Sequence, residues 1–137
     1  MVSVIIGKRG AGKTKRLIAL VNTAAEQSSG HVICIEKEQK LTYDISSTAR
    51  LVSADSYNVQ GYDALYGFIC GICAGDHDIT DVFVDATLRI AGRDYGQLDA
   101  FLKKLVANKE LGDTDIMFTI SAESDELPVS VLELCKE

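Results

Sequence analysis

Gly7-Lys8-Arg9-Gly10-Ala11-Gly12-Lys13-Thr14 is the stretch whose residue types and spacing point most directly to chemistry. It reads G-x-x-x-x-G-K-T, the pattern of a phosphate-binding loop. Glycines let the main chain curl until several N–H groups face one anion, and a polyphosphate needs such a nest. Lys13 then offers an ammonium to the β- and γ-phosphates, and the Thr14 hydroxyl offers a ligand to Mg2+. Lys8, Arg9 and Ala11 supply the variable positions, so residues 7–14 together form the expected nucleotide-binding segment. A helix starting at Lys13 would add its dipole and its unpaired first amides.

Two further stretches carry candidate partners. Val82-Phe83-Val84-Asp85 is an apolar strand opened by Asp81 and ending in an acid, and Asp85 is expected to hold Mg2+ through water. Glu36 ends another strand and is the candidate general base for activating water, with Glu38 and Glu123 behind it. Arg89 and Arg93, read as loop residues after Asp85, offer cationic stabilisation in cis or to a neighbouring subunit.

On residues 7–14 and 82–85 the chain resembles the phosphate-loop NTPase superfamily, with its RecA-like and AAA-like branch favoured. The resemblance implies the P-loop NTPase fold over almost the whole chain, with ATP and Mg2+ as ligands. It also implies a γ-phosphate sensor at the polar strand end carrying Thr119 and Ser121. That branch usually places a glutamate directly after the aspartate, whereas Asp85-Ala86-Thr87 stands here. RecA-like members carry the water-activating glutamate at the end of a different strand, and Glu36 stands in such a place. More narrowly, the chain looks like a family of small bacterial ATP-binding proteins, some labelled twitching-motility ATPases. Those motors are much longer and have histidine-containing motifs, and His31 and His77 here match neither.

The elements that must position these residues follow from periodicity. Val2-Ser3-Val4-Ile5-Ile6 is short and β-branched, as a buried strand should be. Leu17, Ile18, Val21, Ala24 and Ala25 recur at helical spacing, with Gly30 just past the helix end. The pattern predicts strands 2–6, 31–36, 50–53, 80–85 and 115–121. Helices are predicted over 13–27, 60–74 and 95–108, with a short one from 128. Alternating strands and helices predict an α/β three-layer sandwich: a mostly parallel sheet of about five strands with helices on both faces. Ligands of such sheets lie at the carboxyl ends of the strands, here residues 36, 54–55, 85–87 and 121–123. Gly67, Gly71 and Gly75 form a stripe that predicts close backbone packing, within the chain in preference to a subunit interface. The polar segment 37–49 is a candidate mobile element that reports the γ-phosphate.

Composition sets the remaining bounds. The 137 residues make one domain, and 47% hydrophobic with 25% charged content is that of a soluble globular protein. No apolar run approaches the ~18 residues that span a bilayer. The first strand starts at residue 2, so no leader is expected and the expected location is cytoplasmic. A net charge of −6 argues against nucleic acid as a partner. The cluster Lys8, Arg9, Lys13, Lys15 and Arg16 is read as phosphate-loop chemistry. Cys34, Cys70, Cys73 and Cys135 are expected as reduced thiols. Cys70-x-x-Cys73 with His77 suggests zinc, but no second pair completes the set. Both cysteines also share a helical face with Tyr62, Leu65, Tyr66 and Ile69, which reads as core.

The function expected from all this is binding of Mg-ATP by a slow or partner-stimulated ATPase. It would act as a switch or regulatory subunit, with a protein partner or a second copy. The absence of an N-K-x-D motif favours ATP over GTP. A nucleotide or nucleoside kinase is the first alternative, with Arg89, Arg93, Lys103 and Lys104 as the cations on offer. A nucleic-acid-associated ATPase is the second.

Overall fold

The computed structural model describes residues 1–136. Five strands, β1 (Val2–Gly7), β2 (His31–Glu36), β3 (Arg50–Ser53), β4 (Ile79–Val84) and β5 (Asp115–Ser121), form one sheet in the order β1-β5-β4-β2-β3. Every neighbouring pair is parallel. The helices are α1 (Lys13–Gln27), α2 (Tyr62–Gly75), α3 (Thr87–Ala91), α4 (Tyr95–Ala107) and α5 (Val129–Leu132). The α/β class and the five strands are as the pattern predicted.

Strand periodicity sorts the side chains into two cores. Ile33, Ile35, Val82, Val84, Ile116 and Phe118 face one way and pack against α2 and α4. Val32, Cys34, Phe83 and Met117 face the other way, against Leu17 and Val21 of α1. Two apolar cores on opposite faces of one sheet make three layers. On α1 the buried positions Lys13, Leu17 and Val21 recur every four residues, so one stripe meets the sheet. Burying Leu17 stabilises by about 2 kcal/mol. On α4, Leu98, Phe101, Leu102 and Leu105 do the same on the other face, and the Asp94 side chain caps the helix by accepting from Gln97 N at 3.0 Å.

Turns at the amino ends of the strands are tight. A Cβ on Gly30 would lie 1.9 Å from the Asp78 carbonyl oxygen, so only glycine fits between α1 and β2. At the β1 edge the chain end covers the exposed backbone. Val4 N donates to Leu134 O and Lys136 N donates to Val4 O, both at 2.9 Å.

Three expectations need correction. Gly67, Gly71 and Gly75 lie on an open face, where an added Cβ would meet nothing within 4 Å, so the predicted close packing within the chain is not present. Arg89 does not lie in a loop but on α3, whose five residues are too few to display a helical period. The segment 37–49 is not uniformly mobile in character. Leu41, Ile45 and Ala49 are buried against the α1 face, and Asn22 ties the segment down by donating to Asp44 O and accepting from Ser46 N. Residues 37–40 precede these anchors, and Thr42, Tyr43, Asp44, Ser47 and Thr48 stay exposed between them. No helix among the described residues is long and apolar enough to cross a membrane.

Candidate functional site

Residues 8–12 join β1 to α1 at the carboxyl end of the sheet. Gly10 and Gly12 adopt φ of 85° and 88°, in the left-handed region where a side chain is strained. Gly7 is extended, but a Cβ there would come within 3.3 Å of Ala11 Cβ. No side chain caps α1, so its first amides keep their hydrogen-bonding capacity for a ligand. Lys13 is only 9% exposed, and its Nζ donates to the Lys8 carbonyl at 2.9 Å. Burial lowers its pKa from the usual lysine value, partly offset by the negative charge of Asp85.

Strand order brings three oxygen-bearing side chains together. β5 lies between β1 and β4, so its Thr119 sits between the loop and Asp85. Thr14 Oγ1 lies 3.1 and 3.3 Å from the two carboxylate oxygens of Asp85. Thr119, 1% exposed, donates to Asp85 Oδ1 at 2.7 Å and accepts from Ala86 N at 2.8 Å. Asp85 N donates to Ile35 O at 2.9 Å, which ties the acid to β2. Thr14 and Asp85 are hard oxygen donors on one point, a set that suits Mg2+ and does not suit a thiol-seeking metal.

Glu36 ends β2 on the α1 side of the sheet and is 4% exposed. Its Oε1 accepts from Lys40 N at 2.9 Å and Leu41 N at 3.2 Å. Its Oε2 is buried and has no hydrogen-bond partner. Burial raises the Glu36 pKa above the usual carboxylate range. The two backbone donors oppose that shift, and the nearby Asp85 charge adds to it. Cys34, two residues back on the same face, is pushed up to about 12 by burial and by the charges of Asp85 and Glu36, so it is no nucleophile.

A cleft of about 430 Å³ joins these groups: loop residues 9–15 in part, Glu36, Asp85, Ala86, Arg89, Thr119 and Ser121 all line it. Of the strand-end positions expected to matter, 36, 85, 86 and 121 therefore meet. Asp55 does not line the cleft; it pairs with Lys37 at 3.0 Å in a neighbouring cavity of about 260 Å³. Glu123 also stays outside, in a capping box with Glu126. Arg93 reaches only the Ser121 carbonyl, at 3.4 Å. Lys103 pairs with Asp99, and Lys104 lies over the Tyr66 ring, both on α4 away from the cleft. Thr119, expected as a sensor, is occupied as the support of Asp85. That role depends on strand order, which local sequence does not display. Among the described residues Cys70, Cys73 and His77 do not gather as metal ligands. Instead Cys70 and Cys73 pack against the α2 core.

Comparison with protein-family models and with curated proteins finds no match for this chain.

Proposed function

We propose that this protein binds Mg-ATP in the cleft between residues 7–14, Glu36 and Asp85, and hydrolyses it slowly as a switch or regulatory subunit. The observation that carries the reading is the convergence of Thr14, Thr119 and Asp85 beside the buried Lys13, at the mouth of a loop with two left-handed glycines. Local sequence supplies the loop, while Asp85 arrives from 71 residues away. In this reading the loop amides and Lys13 take the phosphates, and Thr14 and Asp85 take Mg2+. The metal, when bound, would neutralise charge on the phosphate oxygens.

Glu36 is the base in this reading. Its Oε2 takes a proton from water as the water oxygen bonds to the γ-phosphorus. The bond from that phosphorus to the β,γ-bridging oxygen breaks, giving ADP and inorganic phosphate. A buried, unpartnered oxygen with a raised proton affinity supports this role. Two features support slow turnover. Ala86 replaces the acid that usually follows the aspartate, and Glu36 Oε1 is already held by backbone amides.

The test is single-turnover hydrolysis with excess protein. Glu36→Gln keeps nucleotide binding and loses about 100-fold or more in rate, the usual size of general base catalysis. Lys13→Ala loses binding itself. If Glu36→Gln hydrolyses ATP at the wild-type rate, Glu36 is not the base.

A nucleotide or nucleoside kinase is the second reading, favoured by the neighbouring cavity that shares Lys37 and Arg89 with the cleft. An acceptor there would lie beside the γ-phosphate. Phosphoryl transfer to any member of a panel of nucleosides and nucleotides, faster than hydrolysis, would favour the kinase.

A further inference from the structure

β3 is an edge strand paired with β2, and the two faces of the sheet beside it carry opposite shapes. On the α1 face stands a projection. Tyr43 is 100% exposed, yet the chain around it is held in place. Leu41 and Ile45 are buried on either side, and Asn22 donates to Asp44 O at 2.9 Å and accepts from Ser46 N at 2.7 Å. A large ring held out in water presents apolar area for a partner to bury, and tyrosine is enriched among interface anchors.

On the α2 face lies a groove of about 540 Å³. Val52, Phe68 and Ile72 line it, and Tyr57 packs on Phe68 with ring centroids 5.9 Å apart. Gly71 leaves one wall open, since a Cβ there would meet nothing within 4 Å. Glycine inside a helix is costly, and no contact within the chain requires it at 71. Arg50 also lines the groove, exposed and without an ion-pair partner among the described residues. Asp76, the acid in the lining, is already engaged by His31 Nδ1 at 2.6 Å, so the free charge of the groove is positive.

We infer that a second copy of this chain occupies the groove, inserting Tyr43 among Val52, Phe68 and Ile72 and setting Asp44 beside Arg50. Asp44 follows Tyr43 directly, is exposed, and likewise has no ion-pair partner among the described residues. The ring suits the apolar, partly aromatic walls, and the carboxylate suits the guanidinium fork. Projection and groove lie on opposite faces of the same sheet edge. A two-fold axis in the plane of the sheet, along β3, carries one face onto the other. Each copy then gives its own tyrosine and receives its partner's. Such a contact closes as a dimer and does not run on as a filament.

The test is sedimentation velocity of the nucleotide-free protein up to about 500 μM, where even a small interface assembles. Wild type dimerises reversibly. Tyr43→Ser weakens the dimer by about 30-fold, as loss of a central aromatic anchor does. Gly71→Leu fills the groove from a position open within the chain, so it keeps the monomer folded and abolishes the dimer. Asp44→Arg and Arg50→Glu each bring like charges together and weaken association by about tenfold or more. The double variant restores an opposite pair and returns to within about threefold of wild type. Wild type that stays monomeric at the highest concentration overturns the inference, whatever else fills the groove. A dimer that Tyr43→Ser leaves intact, or a charge-reversed pair that does not recover, overturns it too, by placing the contact on another face. None of these outcomes bears on the Mg-ATP reading.

Discussion

At the amino ends of the strands backbone amides and the chain amine find partners, and at the carboxyl ends two buried side-chain oxygens do not. Near the amino ends, Gly30 N donates to Ser28 Oγ at 2.9 Å, His31 N to Asp78 O at 2.8 Å, and the chain amine to Thr114 O at 3.0 Å. Among the described residues the two buried side-chain oxygens without a partner, Glu36 Oε2 and Thr87 Oγ1, both lie at the carboxyl end, the second next to the left-handed Ala86. A buried polar group without a partner and a strained backbone both cost stability. Their concentration at one end teaches that this end is shaped for something other than holding the fold together. The other end is optimised for closure.

Substitutions at the two ends can break that contrast, and the largest effect belongs to the tight end. Gly30→Ala sets a methyl against the Asp78 carbonyl oxygen and should cost about 3 kcal/mol in urea unfolding, at the upper end of overpacking. It should leave nucleotide affinity of the folded protein unchanged. A cost below about 1 kcal/mol would mean that this turn is not the constraint it looks like.

Two buried threonines sharpen the comparison. Thr119→Val removes the acceptor of Ala86 N and the support of Asp85, and should cost about 2 kcal/mol. It should also weaken the Mg2+ dependence of nucleotide binding. The Thr114 hydroxyl makes a single long contact, 3.5 Å to Ile79 O, so Thr114→Val should cost about 0.5 kcal/mol and leave Mg2+ dependence alone. Equal costs and unchanged Mg2+ dependence in both would erase the distinction between the ends.

The pH dependence of stability tests the burial of Glu36. Its folded-state pKa is raised above the ordinary value of 4.5, so the native state holds this proton more tightly than the unfolded chain does. Its contribution to stability is fully present below that ordinary value and is lost as pH rises through the folded pKa. Wild type should therefore lose stability relative to Glu36→Gln as pH rises from 4.5 towards neutrality. A difference that stays constant with pH would show that the carboxyl is well solvated. An effect as small as that of Thr114→Val, but of opposite sign, is expected for Ala86→Gly, which relieves the left-handed backbone and should gain about 0.5 kcal/mol after the entropic cost of glycine.

Much of the scaffold was legible because its signals are local. Nearly continuous apolar runs marked β2, β4 and β5, helical spacing marked α1, and the glycine frame marked residues 7–14. Glu36 and Asp85 were reachable because strand ends of a parallel sheet gather ligands. What stayed hidden depends on contacts distant in sequence or on elements too short to show a period. Thr119 looked like a sensor, and only the position of β5 between β1 and β4 makes it the support of Asp85. α3 spans five residues, and nothing in Ala86 announces φ 55°. The packing of 41–49 did have a signal, the spacing of Leu41, Ile45 and Ala49, which the polar residues between them obscured.

Calorimetric titration of ATP into wild type and Lys13→Ala, with and without Mg2+, tests the central claim most directly. Lys13 is a buried cation whose Nζ has one carbonyl partner, and its removal takes away a charge-assisted contact to phosphate. Wild type should bind ATP with Mg2+ present, and Lys13→Ala should weaken that binding by about 100-fold or more. Equal affinity in the two proteins, or no binding by wild type, would contradict the account.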